Sequence, residues 1–359
     1  MTTEILNSSS PVARVLEPQI PQTEGEKTTD KIKCLLASAF SIFAGTAIAL
    51  LWSVPIGLLG AAAGIGLSLF LLSGSSQKAP IQPPIQPPEN NREAPVATAK
   101  RFSAARNVEI YNETMAYAKE NLNTIRDFLV IEDSGYPSPL HTPIADARVY
   151  VANKSTLRMT QDLVQRGLRP LVLDMANAYA AGGGVRHGAN AQEEILCRQS
   201  NLMLGLLKAE ERRAFPIPEE GGILIPNVTF FRADPNEDYQ FLNEYFDANV
   251  FASAAYCCRT DNSDRPGSDE EYRANTKAKI LTFFRTAVIF GNDSIVASAF
   301  GCGAFQNDPS FIATLFKEVL ETDEFKGRFK EVAFGIIEDL NSEGRKGNYQ
   351  TFKEILDPQ

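Results

Sequence analysis

Residues 171–194 read LVLDMANAYAAGGGVRHGANAQEE, and this stretch decides which class of fold the chain can adopt. The apolar run Leu171–Met175 has the length and composition of a buried strand. A loop containing Gly182-Gly183-Gly184 follows, and seven residues later Gln192-Glu193-Glu194 begin a predicted helix. A strand, a glycine loop and a helix in this order are typical of α/β proteins that bind anions at the carboxyl ends of their strands.

Strand and helix patterns alternate through residues 99–359, which we assign to one domain. The predicted strands are Arg148–Ala152, Leu171–Met175, Val228–Arg232, Val250–Ala255, Ser294–Phe300 and Val332–Ile337. The predicted helices are Asn107–Phe128, Ser155–Arg166, a segment starting at Ala191, Asp269–Phe290, Pro309–Leu320 and Tyr349–Leu356. Strands alternating with helices of about 10 to 20 residues predict a three-layer α/β domain with a mixed or parallel sheet.

A second glycine-rich loop follows the predicted strand Ser294–Phe300. It runs through Gly301-Cys302-Gly303-Ala304-Phe305 and leads into the predicted helix Pro309–Leu320. Glycine allows backbone N–H groups to approach an anion closely, and the N-terminus of the following helix favours negative charge. Two such loops predict a diphosphate that is bound by backbone groups rather than by lysine.

Two adjacent carboxylates, Glu193 and Glu194, follow the first of these loops. Burial, a neighbouring carboxylate and a bound anion each raise the pKa of a carboxyl group, so we expect a raised pKa within this pair. A raised pKa is what a general acid needs near neutral pH. The alternative is a solvated pair in the first turn of a helix, stabilised by the helix dipole. The glycine loops favour the catalytic interpretation.

The spacing GGG-x7-QEE, followed by ILCRQSNL at residues 195–202, resembles the signature of the microbial-type poly(ADP-ribose) glycohydrolases. GCGAFQNDP at residues 301–309 resembles the second phosphate loop of that family. The resemblance covers about residues 100–340. It implies a macrodomain-like mixed sheet flanked by helices. It also implies hydrolysis of the ribose–ribose O-glycosidic bond of poly(ADP-ribose), which releases ADP-ribose and uses neither a metal nor a cofactor.

The resemblance further implies roles for individual residues. Glu194 matches the catalytic glutamate of the family, and Glu193 matches the neighbour that orients the scissile ribose. The implied substrate-binding residues are Asp174, Asn177, Gly182, Gly183, Gly184, Gln192, Gly301, Cys302, Gly303, Ala304 and Phe305. The implied partner is poly(ADP-ribose) or an ADP-ribosylated protein, and we expect the catalytic domain to be a monomer.

Two other functions stay open at this point. One is a hydrolase of mono-ADP-ribose on protein or DNA, and the other is a non-catalytic ADP-ribose-binding macrodomain. The second needs phosphate loops but no acid, so Gln192-Glu193-Glu194 argues against it. Among single residues, we expect His187 to be exposed and Phe305 to face a ligand, while Tyr179 could pack in the core or on a ribose or base.

The charged residues divide unevenly near residue 100. Residues 1–100 have a net charge of zero, whereas residues 101–359 have 28 basic and 37 acidic residues and so contain the whole net charge of −9. This negative charge argues against double-stranded DNA binding through general charge attraction. Five cysteines in 359 residues exclude a disulfide scaffold, and two histidines exclude a histidine-rich metal site.

The first hundred residues predict a disordered tail (1–33), a transmembrane helical hairpin (34–73) and a proline-rich linker (74–98). Cys34–Leu72 contains no charged residue, and Pro55 divides it into two segments near the lower length limit for a membrane span. Lysines at both ends predict that both ends lie on the cytosolic side of the membrane. The hairpin resembles that of inclusion-membrane proteins of obligate intracellular bacteria. The expected location is an inclusion or host membrane after secretion, or the bacterial inner membrane.

Overall fold

We describe the protein from a computed structural model. The described residues are 101–122, 125, 127–132, 147–338 and 346–358. The predicted tail, hairpin and linker, residues 1–33, 34–73 and 74–98, lie outside them. The described residues therefore belong to the predicted α/β domain.

The domain contains helices and strands in an alternating order. The helices are α1 (Ala104–Asn121), α2 (Thr156–Gln165), α3 (Gln192–Gln199), α4 (Leu202–Glu211), α5 (Asp269–Ile289), α6 (Pro309–Leu320) and α7 (Asn348–Leu356). The strands are β1 (Leu129–Ile131), β2 (Arg148–Ala152), β3 (Pro170–Met175), β4 (Gly222–Arg232), β5 (Phe241–Ser253), β6 (Ser294–Ala297) and β7 (Glu331–Gly335). Short 3-10 turns occur at Val185–His187 and Pro235–Glu237.

The seven strands form one mixed sheet in the order β1-β4-β5-β3-β6-β7-β2. The five strands from β5 to β2 are parallel to their neighbours, while β4 is antiparallel to both β1 and β5. In the centre, Val172 of β3 lies opposite Val250 of β5 and Val296 of β6. Because these strands are parallel, their carboxyl ends meet at the same edge of the sheet.

Side chains alternate between the two faces of the sheet and build two cores. Val172 belongs to the core under α1 to α4, whereas Leu171 and Leu173 belong to the core under α5 to α7. Phe283 and Phe316 are fully buried in that second core. The prediction of a three-layer α/β domain with a mixed sheet is confirmed.

Side-chain caps set several helix starts. Ser155 accepts a hydrogen bond from the N–H of Arg158 at 3.1 Å, and Asp308 accepts one from Phe311 at 2.7 Å. Such caps satisfy backbone donors that have no partner within the helix. Gly167 adopts a φ of 77° just beyond α2, as expected for a glycine that ends a helix.

Several elements differ from the prediction. Helix α1 ends at Asn121 rather than Phe128, and β4 and β5 both begin earlier than predicted. Helix α4 was not predicted at all, because its sequence LMLGLLKAEE has apolar residues on several sides of the helix. Its Gly205 packs against Ile225 so closely that a Cβ atom would lie 2.6 Å from Ile225 Cγ2. A helix buried in this way lacks the one-sided pattern that sequence analysis detects.

The membrane prediction is contradicted. Nowhere in the described ranges does a helix combine the length and the apolar composition needed to cross a bilayer. Helices α1 and α5 are long enough, with 18 and 21 residues, but both carry charged residues along their length. A span needs about 20 predominantly apolar residues. The predicted location as a two-pass membrane protein is therefore withdrawn.

Candidate functional site

The carboxyl end of β3 and the N-terminus of α3 bring three carboxyl groups together. Asp174 lies near the end of β3, and Glu193 and Glu194 lie in the first turn of α3. Asp174 shares the α1 to α4 side of the sheet with Val172, because side chains two residues apart in a strand point the same way. All three are buried, with 0%, 3% and 6% of their surfaces exposed. The adjacent pair is therefore not a solvated one, and the alternative of two exposed glutamates is wrong.

Glu194 is held in place by backbone N–H groups. Its Oε1 accepts a hydrogen bond from Gly184 at 2.9 Å, and its Oε2 accepts one from Ala191 at 2.8 Å. The first contact ties α3 to the glycine loop, and the second caps the N-terminus of α3. Hydrogen bonds from N–H groups to a carboxylate are stronger than those between neutral groups, so both contacts fix the side chain firmly.

Glu193 contacts the segment that follows β3. Its Oε2 accepts a hydrogen bond from the N–H of Asn177 at 2.8 Å, while its Oε1 has no hydrogen-bond partner among the described residues. Burial raises the pKa of Glu193 well above its usual range, and the charge of Asp174 raises it further. The expectation of a raised pKa within the Glu193–Glu194 pair is confirmed at Glu193.

Asp174 is enclosed completely, and neither of its carboxyl oxygens has a hydrogen-bond partner within the described part of the chain. Burial raises the pKa of Asp174 to about 8, and the charge of Glu194 adds to this effect. Burial disfavours the charged form of a carboxyl group because the interior solvates it poorly. Asp174 therefore retains a proton near neutral pH, directly beside the two glutamates.

Gln192 connects α3 to β3 through hydrogen bonds. Its side-chain oxygen accepts a hydrogen bond from the N–H of Met175 at 2.9 Å, and its amide donates to the carbonyl of Leu173 at 2.7 Å. These two contacts use the backbone groups at the end of β3 that no neighbouring strand can reach. Gln192 was predicted to bind substrate. In the structure, its amide holds the two carboxylates of α3 at the end of the sheet.

The first glycine loop folds directly onto these carboxylates. Gly182 and Gly183 have φ angles of 70° and 53°, which side chains other than glycine rarely adopt. A Cβ atom on Gly183 would lie 2.6 Å from Glu194 Oε1 and 2.8 Å from Glu193 Oε2. Glycine is therefore required at this position both for the backbone conformation and for the close approach of the loop to the two carboxylates.

The turn before the glycines is also well defined. The side-chain oxygen of Asn177 accepts hydrogen bonds from the N–H groups of Tyr179 and Ala180 at 2.9 and 3.1 Å. The Tyr179 ring projects outward with 71% of the residue exposed, so the alternative that it packs in the core is wrong. His187, in the following 3-10 turn, is exposed as predicted.

The second glycine loop follows β6 and offers backbone donors. Within residues 147–338, the N–H groups of Gly303, Ala304 and Phe305 have no hydrogen-bond acceptor. Successive free N–H groups before a helix N-terminus form a concave anion site. In the first loop, by contrast, the N–H groups of Gly183 and Gly184 already donate to Ala180 and Glu194. Of the two loops, the second is the one with donors available for an anion.

Two side chains of the second loop point inward rather than outward. Cys302 and Phe305 are partly buried and pack against the core under α5 to α7. Burial raises the pKa of the Cys302 thiol well above its usual range, so this thiol is not ionised near neutral pH. Cys302 can therefore contribute a backbone group to the site, but its side chain belongs to the packing of the loop.

Two buried polar residues that shape the site were not predicted from the sequence. Arg198 of α3 is fully buried and donates hydrogen bonds to the carbonyl of Ala189 at 2.9 Å and to Asn190 Oδ1 at 2.7 Å. Asn307, which follows the second loop, is 3% exposed and contacts Gly301. The sequence signal for both residues is their place in the stretches ILCRQSNL and GCGAFQNDP, which carry the family resemblance.

A metal site was not expected from the sequence. In the described ranges, no group of three or more histidine, cysteine, aspartate or glutamate residues has the geometry to bind a metal ion. The expectation of catalysis without a metal stays a prediction.

Fold and site together define a class of protein. Proteins of this class have a three-layer α/β domain. At the carboxyl ends of its central parallel strands, backbone N–H groups form an anion site, and a buried group of carboxyl side chains lies next to it. Comparison with known families identifies a match to this class. Residues 95–233 match the model of the family described as "Microbial-type PARG, catalytic domain". The match confirms the resemblance to microbial-type poly(ADP-ribose) glycohydrolases over this part of the chain.

Solved structures share the fold. A crystal structure of poly(ADP-ribose) glycohydrolase from Thermomonospora curvata is 24% identical, with a TM-score of 0.59, and covers 70% of this chain and 100% of its own. The enzyme from Deinococcus radiodurans in complex with ADP-ribose is 22% identical, with a TM-score of 0.53, and covers 71% of this chain and 92% of its own. No curated protein matches. The resemblance of residues 34–73 to inclusion-membrane proteins finds no support in these comparisons.

Proposed function

We propose that this protein is a poly(ADP-ribose) glycohydrolase, which hydrolyses the ribose–ribose O-glycosidic bond of the polymer and releases ADP-ribose. The observation that carries the proposal is the buried carboxyl group of Glu194, held by the Gly184 N–H at the edge of the sheet where the glycine loops meet. The family match at residues 95–233 supports it. So does the likeness in fold to glycohydrolase structures solved with ADP-ribose or with the inhibitor ADP-HPD.

Glu194 is the proposed general acid and base. In the first step its carboxyl group gives a proton to the departing ribose oxygen while the bond from that oxygen to the anomeric carbon breaks. The anomeric carbon develops oxocarbenium character. In the second step a water molecule attacks this carbon, and Glu194 takes the proton that the water loses. The carboxyl group is thereby returned to its starting state.

Glu193 and Asp174 support this chemistry in different ways. Asp174 has no exposed surface and keeps a proton near neutral pH, so it adds no charge beneath the site. Glu193 matches the residue that orients the scissile ribose in the family, and its buried Oε1 has no partner among the described residues. We assign ribose orientation to Glu193, which the Asn177 N–H holds in place, and an indirect role to the enclosed Asp174.

The second loop is the proposed diphosphate site. Its three free N–H groups at residues 303–305 face no acceptor in the described part of the chain. Backbone donors are suited to a substrate that carries a diphosphate in every repeat, because they add no mobile charge and are already oriented. The net charge of −9 gives no general attraction for a negative polymer, so binding relies on such local groups.

The purified protein should be incubated with poly(ADP-ribose) and, separately, with mono-ADP-ribosylated protein, and the release of ADP-ribose should be measured. We expect release from the polymer. Release from the mono-ADP-ribosylated protein alone would indicate the mono-ADP-ribosyl hydrolase instead. Tight binding of ADP-ribose without release from either substrate would indicate a non-catalytic macrodomain and would contradict the proposal.

A further inference from the structure

The second glycine loop has two residues in an uncommon backbone conformation. Gly301 has a φ of 72°, and Gln306 has a φ of 57°, which is uncommon for a residue with a side chain. Gly303 and Ala304 are exposed. Such backbone angles persist only where surrounding contacts hold them, so the contacts at the base of the loop matter for its shape.

Asn307 contacts the start of the loop and the segment that follows β5. Its side-chain amide donates hydrogen bonds to the carbonyl of Tyr256 at 2.7 Å and to the carbonyl of Gly301 at 3.0 Å. Its backbone N–H also donates to the Gly301 carbonyl, at 3.1 Å. The loop is therefore closed at its base, with its last residue bonded to its first. A Cβ atom on Gly301 would lie 2.7 Å from Asn307 Nδ2, so glycine is needed for this approach.

The carbonyl oxygen of the Asn307 side chain also accepts hydrogen bonds. Asn307 Oδ1 accepts a hydrogen bond from the hydroxyl of Tyr272 at 2.6 Å and a weaker one from the thiol of Cys258 at 3.6 Å. An asparagine amide has two donor hydrogens and two acceptor lone pairs. Both donor hydrogens are used here and Oδ1 accepts from the Tyr272 hydroxyl, which fixes the orientation of the amide and links the loop to helix α5.

A second contact holds the other side of the loop. The N–H of Cys258 donates to the carbonyl of Phe305 at 2.7 Å. The segment from Tyr256 to Cys258, which follows β5, therefore lies beneath the loop and is bonded to it at two points. The N–H groups at residues 303–305 follow Gly301, whose carbonyl Asn307 holds, and reach as far as Phe305, whose carbonyl Cys258 holds.

We propose that Asn307 is a positioning residue that sets the shape of the diphosphate-binding loop. The inference rests on the proposed function, because it assigns ADP-ribose as the ligand of that loop. Asn307 is 3% exposed and does not itself meet the substrate. Its effect passes through the directions of the N–H groups at residues 303–305. The residues assigned to proton transfer lie in α3, so a change at Asn307 acts on binding more than on the chemical step.

The substitution Asn307→Asp tests this directly. Aspartate keeps the shape of the side chain and the acceptor for Tyr272, but it replaces the amide donor by an oxygen that faces the carbonyls of Tyr256 and Gly301. The loop must then open to relieve the repulsion. Tyr272→Phe is a milder second variant, since it removes one hydrogen bond to Asn307 and leaves the ring stacked on Phe311 at 4.8 Å.

Asn292→Asp is the matched control. Asn292 is also buried, and its amide also donates to a backbone carbonyl, that of Arg169 at 3.2 Å. It precedes β6, at the opposite end of this strand from the glycine loop. The same chemical change is thus made in a buried asparagine that has no contact with the loop.

The measurements are the Kd for ADP-ribose by calorimetry, the KM and kcat for the polymer, and the Tm of each full-length variant. For Asn307→Asp we expect Kd and KM to rise about tenfold or more while kcat changes by less than about threefold, because the lost hydrogen bonds act on binding. Tyr272→Phe should also raise Kd and KM, but by a smaller factor. Asn292→Asp should lower Tm comparably and leave Kd unchanged.

A Kd for Asn307→Asp that equals the Kd for Asn292→Asp would overturn the inference, and so would a loss confined to kcat. If Asn307→Asp does not fold, an unchanged Kd for Tyr272→Phe would overturn the inference instead. A parent protein that neither binds ADP-ribose nor cleaves the polymer would overturn the proposed function and this inference with it. An active parent with an insensitive Asn307→Asp variant would overturn the inference alone.

Discussion

Glu194 is bonded to two backbone N–H groups, and these contacts determine what a substitution there does. In Glu194→Gln the amide oxygen can accept a hydrogen bond from Gly184 or from Ala191, but not from both. The other N–H, which is only partly buried, loses its acceptor, which costs about 1 kcal/mol of stability. We therefore expect a lower Tm in addition to any catalytic effect.

For Glu194→Gln we predict a turnover about 10²–10⁴-fold below the parent, because the amide cannot transfer a proton. The Kd for ADP-ribose should stay close to that of the parent, since the free donors lie in the other loop. Glu193→Gln should weaken binding and leave more of the rate. Polymer turnover and calorimetry on the same preparations measure this, with Glu211→Gln at the exposed end of α4 as control. Turnover of Glu194→Gln within about tenfold of the parent would show that the acid is another residue.

The raised pKa of Asp174 makes the free energy of unfolding depend on pH. Burial raises the pKa of Asp174 to about 8, so the native state holds a proton that the unfolded chain releases at a much lower pH. The stabilising contribution is therefore full below the unfolded pKa of about 4 and is lost as pH rises towards 8. Burial raises the pKa of Glu193 in the same direction, which adds to the effect.

We predict that Asp174→Asn flattens this pH dependence. In the parent, the free energy of unfolding should fall between pH 5 and pH 8, by up to about 1.4 kcal/mol per pH unit for each such group. The amide does not titrate, so the slope should be smaller in the variant. Urea unfolding at several pH values measures it, with Asp162→Asn on the surface of α2 as control. Equal slopes in Asp174→Asn and the parent would contradict the raised pKa.

At the scale of elements, the site depends on how closely the first glycine loop approaches α3. Gly183 has a φ of 53° and leaves no room for a Cβ atom between itself and the two glutamates. Gly291, which follows α5, has a φ of 69° and no heavy atom within 4 Å of a built Cβ atom. The two glycines thus have similar backbone conformations, but Gly183 is closely surrounded by other atoms and Gly291 is not.

We predict that Gly291→Ala loses about 1 kcal/mol of stability, because alanine is strained at a positive φ, and that Gly183→Ala loses more, because its Cβ atom also overlaps the two glutamates. Only Gly183→Ala should also lose activity. A displacement of the carboxylates by about 1 Å can cost about 10²-fold in rate. Thermal unfolding and polymer turnover of both variants measure the difference. If both variants kept the parent turnover, the close contact of the loop with the glutamates would have no catalytic role.

At the scale of the whole molecule, the α/β domain accounts for the sheet, both cores and the candidate site. The solved glycohydrolase structures cover 70–71% of this chain, consistent with the extent of this domain. We predict that residues 99–359, expressed alone, fold cooperatively and have the kcat and KM of the full-length protein. Circular dichroism, thermal unfolding and polymer turnover of both proteins test this. An insoluble or inactive fragment beside an active full-length protein would show that residues 1–98 are needed.

Sequence by itself determined the local parts of the site. The order of strand, glycine loop and helix predicted the turn at Gly182-Gly183-Gly184, the helix start at Gln192 and the placement of Glu193 and Glu194 in its first turn. Ser155 and Pro309 marked helix starts that the structure has at the same positions. These features depend on residues within a few positions of one another, so backbone preferences and side-chain caps are enough to predict them.

Tertiary structure alone decided which distant segments meet. Asn307 bonds to Tyr256, 51 residues away, and Tyr272, 35 residues away, and no sequence period connects such positions. The strand order likewise places β6 beside β3, although β4 and β5 lie between them in the chain. The complete burial of Asp174 also follows from the fold, because α3 covers the end of β3. These contacts depend on how the helices pack on the sheet, and that packing is a property of the whole chain rather than of any one segment.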